Sequence, residues 1–155
     1  MKILFVCTGN TCRSPMAEAI AHKVAVEKGL TELECASSGT SAWETAPASD
    51  GALLVAMERG MDLSDHRAQT LTRELVQVSD LILAMGPHHL ERIEALGGEG
   101  KGFLLSDYAS HGKSKRPISD PIGAELDVYR ATADELEEEI RKVLDRIMAE
   151  RGSGA

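Results

Sequence analysis

Short apolar runs alternate with longer amphipathic segments along most of the chain. The first run, residues 3–6, is a continuous stretch of β-favouring side chains, which is typical of a strand buried on both faces. Similar runs predict three more strands, at residues 33–37, 81–85 and 103–105. Capping residues, prolines and glycines delimit four predicted helices between these runs, at residues 15–28, 52–59, 71–78 and 87–96.

The strongest helical pattern lies near the C-terminus. Its apolar positions repeat at intervals of four, three and four residues: Leu136, Ile140, Val143 and Ile147. Opposite charges four residues apart occupy the outer face, in the pairs Glu137/Arg141 and Glu138/Lys142. We therefore expect a long amphipathic final helix, followed by a frayed tail at residues 152–155.

The alternation of strands and helices predicts the fold class. Parallel strands joined through helices need right-handed crossovers, which place helices on both faces of the sheet. Aromatic residues are scarce, with one Trp, two Tyr and two Phe, so the core must be aliphatic. We expect one α/β domain over residues 1–151, with three α/β/α layers and a four-stranded parallel twisted sheet. Ligands of such folds bind beyond the carboxyl ends of the strands, where the loop after the first strand lies.

The charge balance limits the partners of this chain. It has 25 acidic and 17 basic residues, which argues against nucleic acid because phosphate-backbone binding needs a basic surface. The apolar start is too short for a signal-peptide core or a membrane span. Three cysteines, an odd number, do not resemble a disulfide framework. We expect a cytoplasmic monomer without membrane contact, in which any phosphate site is built from local backbone amides and arginine.

An eight-residue loop, from Cys7 to Ser14, joins the first strand to the first helix. Five residues separate the Cys7 thiol from the Arg13 guanidinium, so both groups can face one tetrahedral anion at the centre of the loop. The backbone amides would form an anion-binding nest backed by the helix dipole. We expect phosphate to be bound by all six residues that follow the cysteine: Thr8, Gly9, Asn10, Thr11, Cys12 and Arg13.

The side chains of this loop fit the same chemistry. The Arg13 guanidinium is a planar fork that can grip two phosphate oxygens and stabilise charge in the transition state. An electropositive loop favours the nucleophilic thiolate of Cys7, and Ser14 can donate a hydrogen bond to that sulfur as well as cap the helix. Gly9 and Asn10 are residue types that tolerate left-handed backbone angles. Cys7 could also be one more small apolar residue at a strand end, but the coincidence of these features disfavours that interpretation.

The loop and several later segments resemble one known family. Residues 6–18 are similar to the signature of the low-molecular-weight protein tyrosine phosphatases, and the likeness continues at four later places: residues 37–40, His66, residues 79–85 and Asp120-Pro121. The resemblance therefore covers essentially the whole chain. It implies that Cys7 forms a phosphocysteine intermediate, that Arg13 binds phosphate, and that Asp120 is the general acid and then the base. It also implies no metal ion or cofactor, and a hydrogen-bond network that holds the loop, formed by Asn10, Ser14, Ser37 and His66.

The resemblance leaves two kinds of phosphorylated protein as substrates. A phosphotyrosine site needs aromatic walls, and the tyrosine-specific members usually place aromatic residues after the Asp-Pro pair, where this chain has Ile122. Trp43 is a candidate for one such wall. Thr11 stands where those members have an aliphatic residue, and a hydroxyl suits a polar guanidinium better than a phenyl ring. The loop CTGNTCRS resembles that of bacterial protein-arginine phosphatases, so we expect phosphoarginine as the substrate, with phosphotyrosine as the alternative.

Other functions share parts of this pattern. Arsenate reductases of the same fold pass a disulfide along several cysteines, but this chain has none after Cys35, which we expect in the core. A phosphate-binding module without activity would not need a nucleophile, an arginine and an acid together. Cys12 either forms a reversible disulfide with Cys7 under oxidation or is a structural thiol.

The histidines outside the resemblance are expected at the surface. His88 and His89 are adjacent at a helix start and point in different directions, so the pattern predicts a solvated helix terminus rather than a metal site. His22 and His111 are also predicted to be exposed. The loop at residues 109–119 carries three basic side chains, which either steer phosphorylated proteins to the site or form an ordinary solvated surface.

Overall fold

The computed structural model describes residues 1–153 of the chain, and the elements below are those of that range. Its four strands are β1 (Lys2–Cys7), β2 (Glu34–Gly39), β3 (Leu81–Ala84) and β4 (Gly102–Leu104). Its six α-helices are α1 (Arg13–Glu27), α2 (Asp50–Glu58), α3 (Arg73–Val78), α4 (Pro87–Ile93), α5 (Leu105–Ala109) and α6 (Leu126–Ser153). A π-helical turn, Glu94–Gly98, continues directly from α4.

The strands form one parallel sheet in the order β2-β1-β3-β4. β1 is therefore an inner strand, and the loop that follows it emerges between the carboxyl ends of β2 and β3. Helices cover both faces of the sheet. The predicted three-layer α/β/α class with a four-stranded parallel sheet is confirmed.

The core has two parts, one on each face of the sheet. Ile3 and Phe5 of β1 pack on the face covered by α1, α2, α5 and α6, whereas Leu4 and Val6 pack on the face covered by α3 and α4. All four side chains are buried, as the continuous apolar run predicts. Each buried aliphatic or aromatic side chain of this kind contributes roughly 1.5–3 kcal/mol. This packing anchors the strand that ends at Cys7.

α6 confirms the strongest helical prediction. The four apolar positions of its stripe are all buried: Leu136, Ile140, Val143 and Ile147. Both predicted charge pairs form, at 3.1 Å between Glu137 and Arg141 and at 3.6 Å between Glu138 and Lys142. Exposed helix pairs of this kind are worth about 0.3–0.5 kcal/mol each, so the buried stripe decides the position of the helix. Within residues 1–153, no helix combines the length and the apolar character needed to cross a membrane.

Three helix starts differ from the prediction. α2 begins at Asp50 rather than at residue 52, because Ser49 caps it by accepting a hydrogen bond from Ala52 N. Ser14 is not the cap of α1, because the helix begins at Arg13 and Cys12 occupies the cap position. The Ser14 hydroxyl is instead engaged by groups of the loop. The third helix begins at Arg73 rather than at residue 71, because the Thr72 hydroxyl caps it by accepting a hydrogen bond from Leu75 N.

The segments after β3 and at the C-terminus also differ. The helix predicted over residues 87–96 is α-helical only to Ile93 and then widens into the π turn. Leu105 begins α5 rather than ending a strand, and this helix is too short to produce a helical period in the sequence. The predicted tail starts too early, since α6 continues to Ser153. Residues 154–155 of that tail lie outside the described residues.

Candidate active site

The loop after β1 turns its carbonyl oxygens outward. Three of these oxygens accept hydrogen bonds of 2.9 Å from the segment that follows β2, those of Cys7, Thr8 and Thr11. Because the C=O and N–H of a peptide point in opposite directions, the loop amides face the enclosed side, as an anion-binding nest requires. Gly39 permits this close approach, since a Cβ there would collide with the Thr8 carbonyl oxygen and lie 3.0 Å from Asn10 N.

Asn10 braces the loop from behind. It is fully buried and has a φ of 56°, whereas Gly9, expected to share this left-handed conformation, is not among the residues with positive φ. The Asn10 side chain donates to Ser14 Oγ (2.8 Å) and Ser37 Oγ (3.0 Å) and accepts from Gln69 N (2.9 Å). Its backbone carbonyl accepts a fourth hydrogen bond, from His66 Nε2 (2.7 Å). The residues that the resemblance names for the network therefore meet at Asn10.

Ser14 links this brace to the candidate nucleophile. Its hydroxyl oxygen accepts from Asn10 Nδ2 and lies 2.9 Å from Cys7 Sγ. The hydroxyl hydrogen has a second possible acceptor in the Ser38 carbonyl oxygen, but at 3.5 Å. A thiolate accepts hydrogen bonds and cannot donate them. At this shorter distance, the Ser14 hydroxyl can donate its hydrogen to the sulfur of a Cys7 thiolate.

The sequence reasoning missed two members of the network: Gln69, whose backbone amide donates to Asn10 Oδ1, and Glu18. Glu18 Oε1 accepts a hydrogen bond of 2.7 Å from Ser37 Oγ. The hydrogen of the Ser37 hydroxyl is thereby used, and its oxygen is oriented to accept from Asn10. Glu18 lies within residues 6–18, the segment that carries the family resemblance, and this was the signal that could have found it.

The candidate arginine and acid are neighbours. Arg13 is almost fully buried, its Nη1 donates to the Ile118 carbonyl oxygen at 2.9 Å, and its Nη2 lies 3.5 Å from Asp120 Oδ2. Within residues 1–153, Arg13 Nε is buried without a hydrogen-bond partner. A buried guanidinium donor of this kind is available to an anion in the loop.

A cavity of about 220 Å³ lies against these groups. Its lining includes Asp120, Ile122 and six residues of the loop: Cys7, Thr8, Gly9, Thr11, Cys12 and Arg13. Thr11 and Ile122 thus line the same cavity. Trp43 is not part of the lining, and its side chain is 85% exposed. The expectation that Trp43 supplies one aromatic wall is therefore not met in this conformation, since its ring points to solvent.

A larger cavity, of about 570 Å³, lies elsewhere. Its lining includes Glu18 and Cys35 but none of the candidate catalytic residues. Cys35 is half-buried against the core, and burial together with the charge of Glu18 raises the pKa of its thiol to about 12. A thiol that stays protonated is a poor nucleophile, so size alone does not identify the active site.

Cys12 is surrounded by hydroxyl groups. Its Sγ lies 3.2 Å from Ser49 Oγ and 3.5 Å from Tyr129 Oη. Cys7 and Cys12 are both buried, free thiols. The disulfide between them stays a prediction.

His89 contradicts the prediction of a solvated helix terminus. His88 is exposed, but His89 has no exposed surface and its Nε2 lies 2.8 Å from Thr8 Oγ1. Topology explains the difference: α4 begins just after β3, and β3 pairs with β1, so the start of α4 borders the loop after β1. The order of the strands, which the sequence pattern did not supply, was the missing signal.

Comparison with known proteins decides the family. The model of the "Low molecular weight phosphotyrosine protein phosphatase" family matches residues 2–153. The chain belongs to this family. Membership agrees with the geometry, because the family is one of cysteine-dependent protein phosphatases and Cys7, Arg13 and Asp120 share one cavity.

Several relatives of this phosphatase are similar over nearly their whole length. A protein-arginine-phosphatase of Bacillus subtilis (strain 168) is 39% identical over 155 residues, covering 97% of this chain and 99% of the relative. A solved structure described as the YwlE arginine phosphatase in a cysteine-to-serine mutant "with phosphorylated active site serine" has a TM-score of 0.89 and 37% identity, with 96% of each chain covered. The tyrosine phosphatase PtpB of Staphylococcus haemolyticus (strain JCSC1435) is 36% identical, covering 88% of this chain and 92% of PtpB.

Proposed function

We propose that this phosphatase hydrolyses phosphoarginine on proteins, with Cys7 as the nucleophile. The observation that carries the proposal is the position of Thr11, which lines the same cavity as Cys7. Within residues 1–153, no aromatic residue is part of this lining. A hydroxyl there can hydrogen-bond to a guanidinium, whereas a phenyl ring would leave it without a partner. The similarity to proteins named arginine phosphatases supports the same assignment.

The first step transfers the phosphoryl group to the enzyme. The loop amides and Arg13 hold the phosphate oxygens, and the thiolate of Cys7 attacks phosphorus. The S–P bond forms as the P–N bond breaks, and Asp120 gives its proton to the departing guanidino nitrogen. The relative with a phosphorylated serine in place of its active-site cysteine supports a covalent intermediate at this position.

The second step releases phosphate. Asp120, now a carboxylate, takes a proton from a water molecule that attacks phosphorus. The S–P bond breaks and Cys7 leaves as a thiolate, which the Ser14 hydroxyl at 2.9 Å stabilises. Asp120 can reach both the leaving group and a water molecule, because it lines the cavity with Cys7 and its side chain is 42% exposed to solvent.

Phosphotyrosine is the second candidate. The family model describes phosphotyrosine protein phosphatases, and PtpB, similar over most of its length, is named a tyrosine phosphatase. Against it, the residue after the Asp120-Pro121 pair is Ile122, which is 62% exposed and has no ring to stack on a phenyl group. We further propose that the protein is a cytoplasmic monomer. Its three free cysteines support the reducing compartment.

The test compares kcat/KM on matched phosphoarginine and phosphotyrosine peptides for the parent protein, Thr11→Ile and Thr11→Ser. We expect the parent and Thr11→Ser to prefer phosphoarginine, because both keep the hydroxyl, and Thr11→Ile to lose about 10-fold or more of that preference. A parent that turns over phosphotyrosine faster would overturn the assignment. An unchanged preference in Thr11→Ile would remove Thr11 as its cause.

A further inference from the structure

His89 is a fully buried titratable side chain that the proposed steps do not use. Its Nε2 lies 2.8 Å from Oγ1 of Thr8, the residue that follows the nucleophile. Its Nδ1 is also buried and has no hydrogen-bond partner within residues 1–153. A ring with one partnered and one unpartnered nitrogen restricts where its proton can reside.

The surroundings of His89 keep the ring neutral. Burial lowers the pKa of His89 to about 4, and the charges of His88 and Arg13 act in the same direction. Asp120 acts in the opposite direction but more weakly. These groups face the ring from α4 itself, from the start of α1 and from the segment before α6, so at neutral pH the imidazole has one N–H.

The unpartnered nitrogen indicates which tautomer is present. With the hydrogen on Nδ1, a buried N–H would have no acceptor, which is a rare and costly arrangement. With the hydrogen on Nε2, the ring donates to Thr8 Oγ1 and only a lone pair at Nδ1 is left unsatisfied. The second tautomer is therefore the more stable one.

The tautomer determines the role of the Thr8 hydroxyl. Once Oγ1 accepts from His89, its own hydrogen is left to donate, and no other partner of this hydroxyl occurs in the part of the chain that the structure describes. Thr8 lines the cavity that holds Cys7 and Arg13. If Thr8 instead donated its hydrogen to His89 Nε2, only lone pairs of Oγ1 would face the phosphate oxygens, which would repel them.

We propose that His89 is a positioning residue of the phosphate loop, which orients the Thr8 hydroxyl as a hydrogen-bond donor toward the phosphate group in the cavity. This inference rests on the phosphatase activity of the site, but not on the choice between phosphoarginine and phosphotyrosine.

NMR of the nitrogen-labelled full-length protein tests the tautomer directly, with His89→Gln used to assign the ring signals. At neutral pH we expect a protonated, pyrrole-type Nε2 and an unprotonated, pyridine-type Nδ1. A hydrogen on Nδ1, or a charged ring, would overturn the proposal whatever the activities of the variants.

Kinetics with p-nitrophenyl phosphate test the role, because this substrate reports phosphatase chemistry without depending on the natural one. We expect His89→Leu and Thr8→Val each to lower kcat/KM about 10-fold and to weaken inhibition by inorganic phosphate, because the same donor is lost. The double variant should be little worse than either single variant, since the two side chains act as a unit. If the loss of kcat/KM in the double variant equalled the product of the two single losses, the side chains would act separately, and the proposal would be contradicted.

Two further variants separate positioning from simple packing. His89→Gln can still donate from its amide to Thr8 Oγ1, so it should recover activity to within a few-fold of the parent, whereas a packing role would leave it as impaired as His89→Leu. His88→Gln, on the exposed neighbour, is the matched control and should stay within about twofold of the parent. If His89→Leu fails to fold, Thr8→Val and the tautomer still decide the question. Full activity of Cys7→Ser would instead contradict the proposed nucleophile, independently of His89.

Discussion

The cavity has two walls that are built differently. The inner wall, residues 7–14, is mostly buried, and only Thr8, Gly9 and Thr11 are half-buried. At its centre, Asn10 is fully buried and makes four hydrogen bonds. The outer wall, residues 118–122, carries Asp120 and Ile122, which are both exposed. The Asp120 carboxylate accepts a hydrogen bond of 3.1 Å from Ile122 N, within its own segment, and lies 3.5 Å from Arg13 Nη2.

This difference matches the different tasks of the two walls. Binding and attacking phosphate need donors and a thiolate held in fixed positions, which buried hydrogen bonds provide. Proton transfer to a leaving group that varies between substrates, and recognition of that group, need access to solvent and to the protein substrate. Substitutions in the inner wall should therefore affect both stability and rate, whereas substitutions in the outer wall should affect rate alone.

The largest effect is expected from Cys7→Ser. A hydroxyl is not deprotonated at neutral pH and should not replace the thiolate, so turnover should fall by more than ~10³-fold with any phosphorylated substrate. Cys35→Ser is the matched control, because that thiol lines a different cavity and should leave kcat unchanged. Equal losses in both variants would show that thiol removal acts through folding rather than through chemistry.

The next largest effect is expected from Asp120→Asn in the outer wall. Loss of the proton donor should lower kcat on the natural substrate by ~10²-fold or more, with a smaller loss on p-nitrophenyl phosphate, whose leaving group needs little protonation. The Tm should stay near that of the parent, because the carboxyl is exposed and its ion pair with Arg13 is long. Glu125→Gln removes a nearby exposed carboxylate as the control. A large drop in Tm for Asp120→Asn would contradict the expectation that substitutions in the outer wall affect rate alone.

Asn10 tests the inner wall. Asn10→Gly keeps access to a φ of 56° but removes the side-chain hydrogen bonds, so we expect a loss of about 2–3 kcal/mol in the free energy of unfolding together with slower turnover. Asn10→Ala should lose about 1 kcal/mol more, because an alanine is strained at that φ. Urea unfolding measures both variants, and equal stability of the two would contradict the left-handed conformation.

The smallest of these effects is the pH dependence that His89 adds. Its pKa is lowered from 6.5 to about 4 in the folded chain, so between these values only the unfolded chain takes up the proton. The contribution of neutral His89 to the free energy of unfolding is therefore complete above pH 6.5 and is lost as the pH falls toward 4. At pH 5 the loss is about 2 kcal/mol. Urea midpoints of the parent and His89→Gln at pH 5 and pH 8 measure it. The parent should be weakened at pH 5 by more than the variant, and parallel behaviour would show that His89 is not buried as a neutral ring.

Much of the site was predictable because it is local in the sequence. The nucleophile, the arginine and the amides lie within residues 7–13, so one loop brings them together wherever the fold places it. Asp120 is more than a hundred residues away and could be predicted only through the family resemblance. Boundaries were predicted less well than elements, since α5 spans five residues and Ser14 is drawn into the loop rather than capping α1.

By itself, the sequence determined the α/β class, the order of its elements apart from α5 and the π turn, and the phosphate loop. Apolar periodicity and loop chemistry depend on neighbouring residues, and both can be read along the chain. Only the tertiary structure decided that His89 is buried against Thr8, that Glu18 holds Ser37, and that Trp43 lies outside the cavity. These contacts depend on which strand lies beside β1 and on how the loops meet at its carboxyl end, which follow from packing among residues distant in sequence.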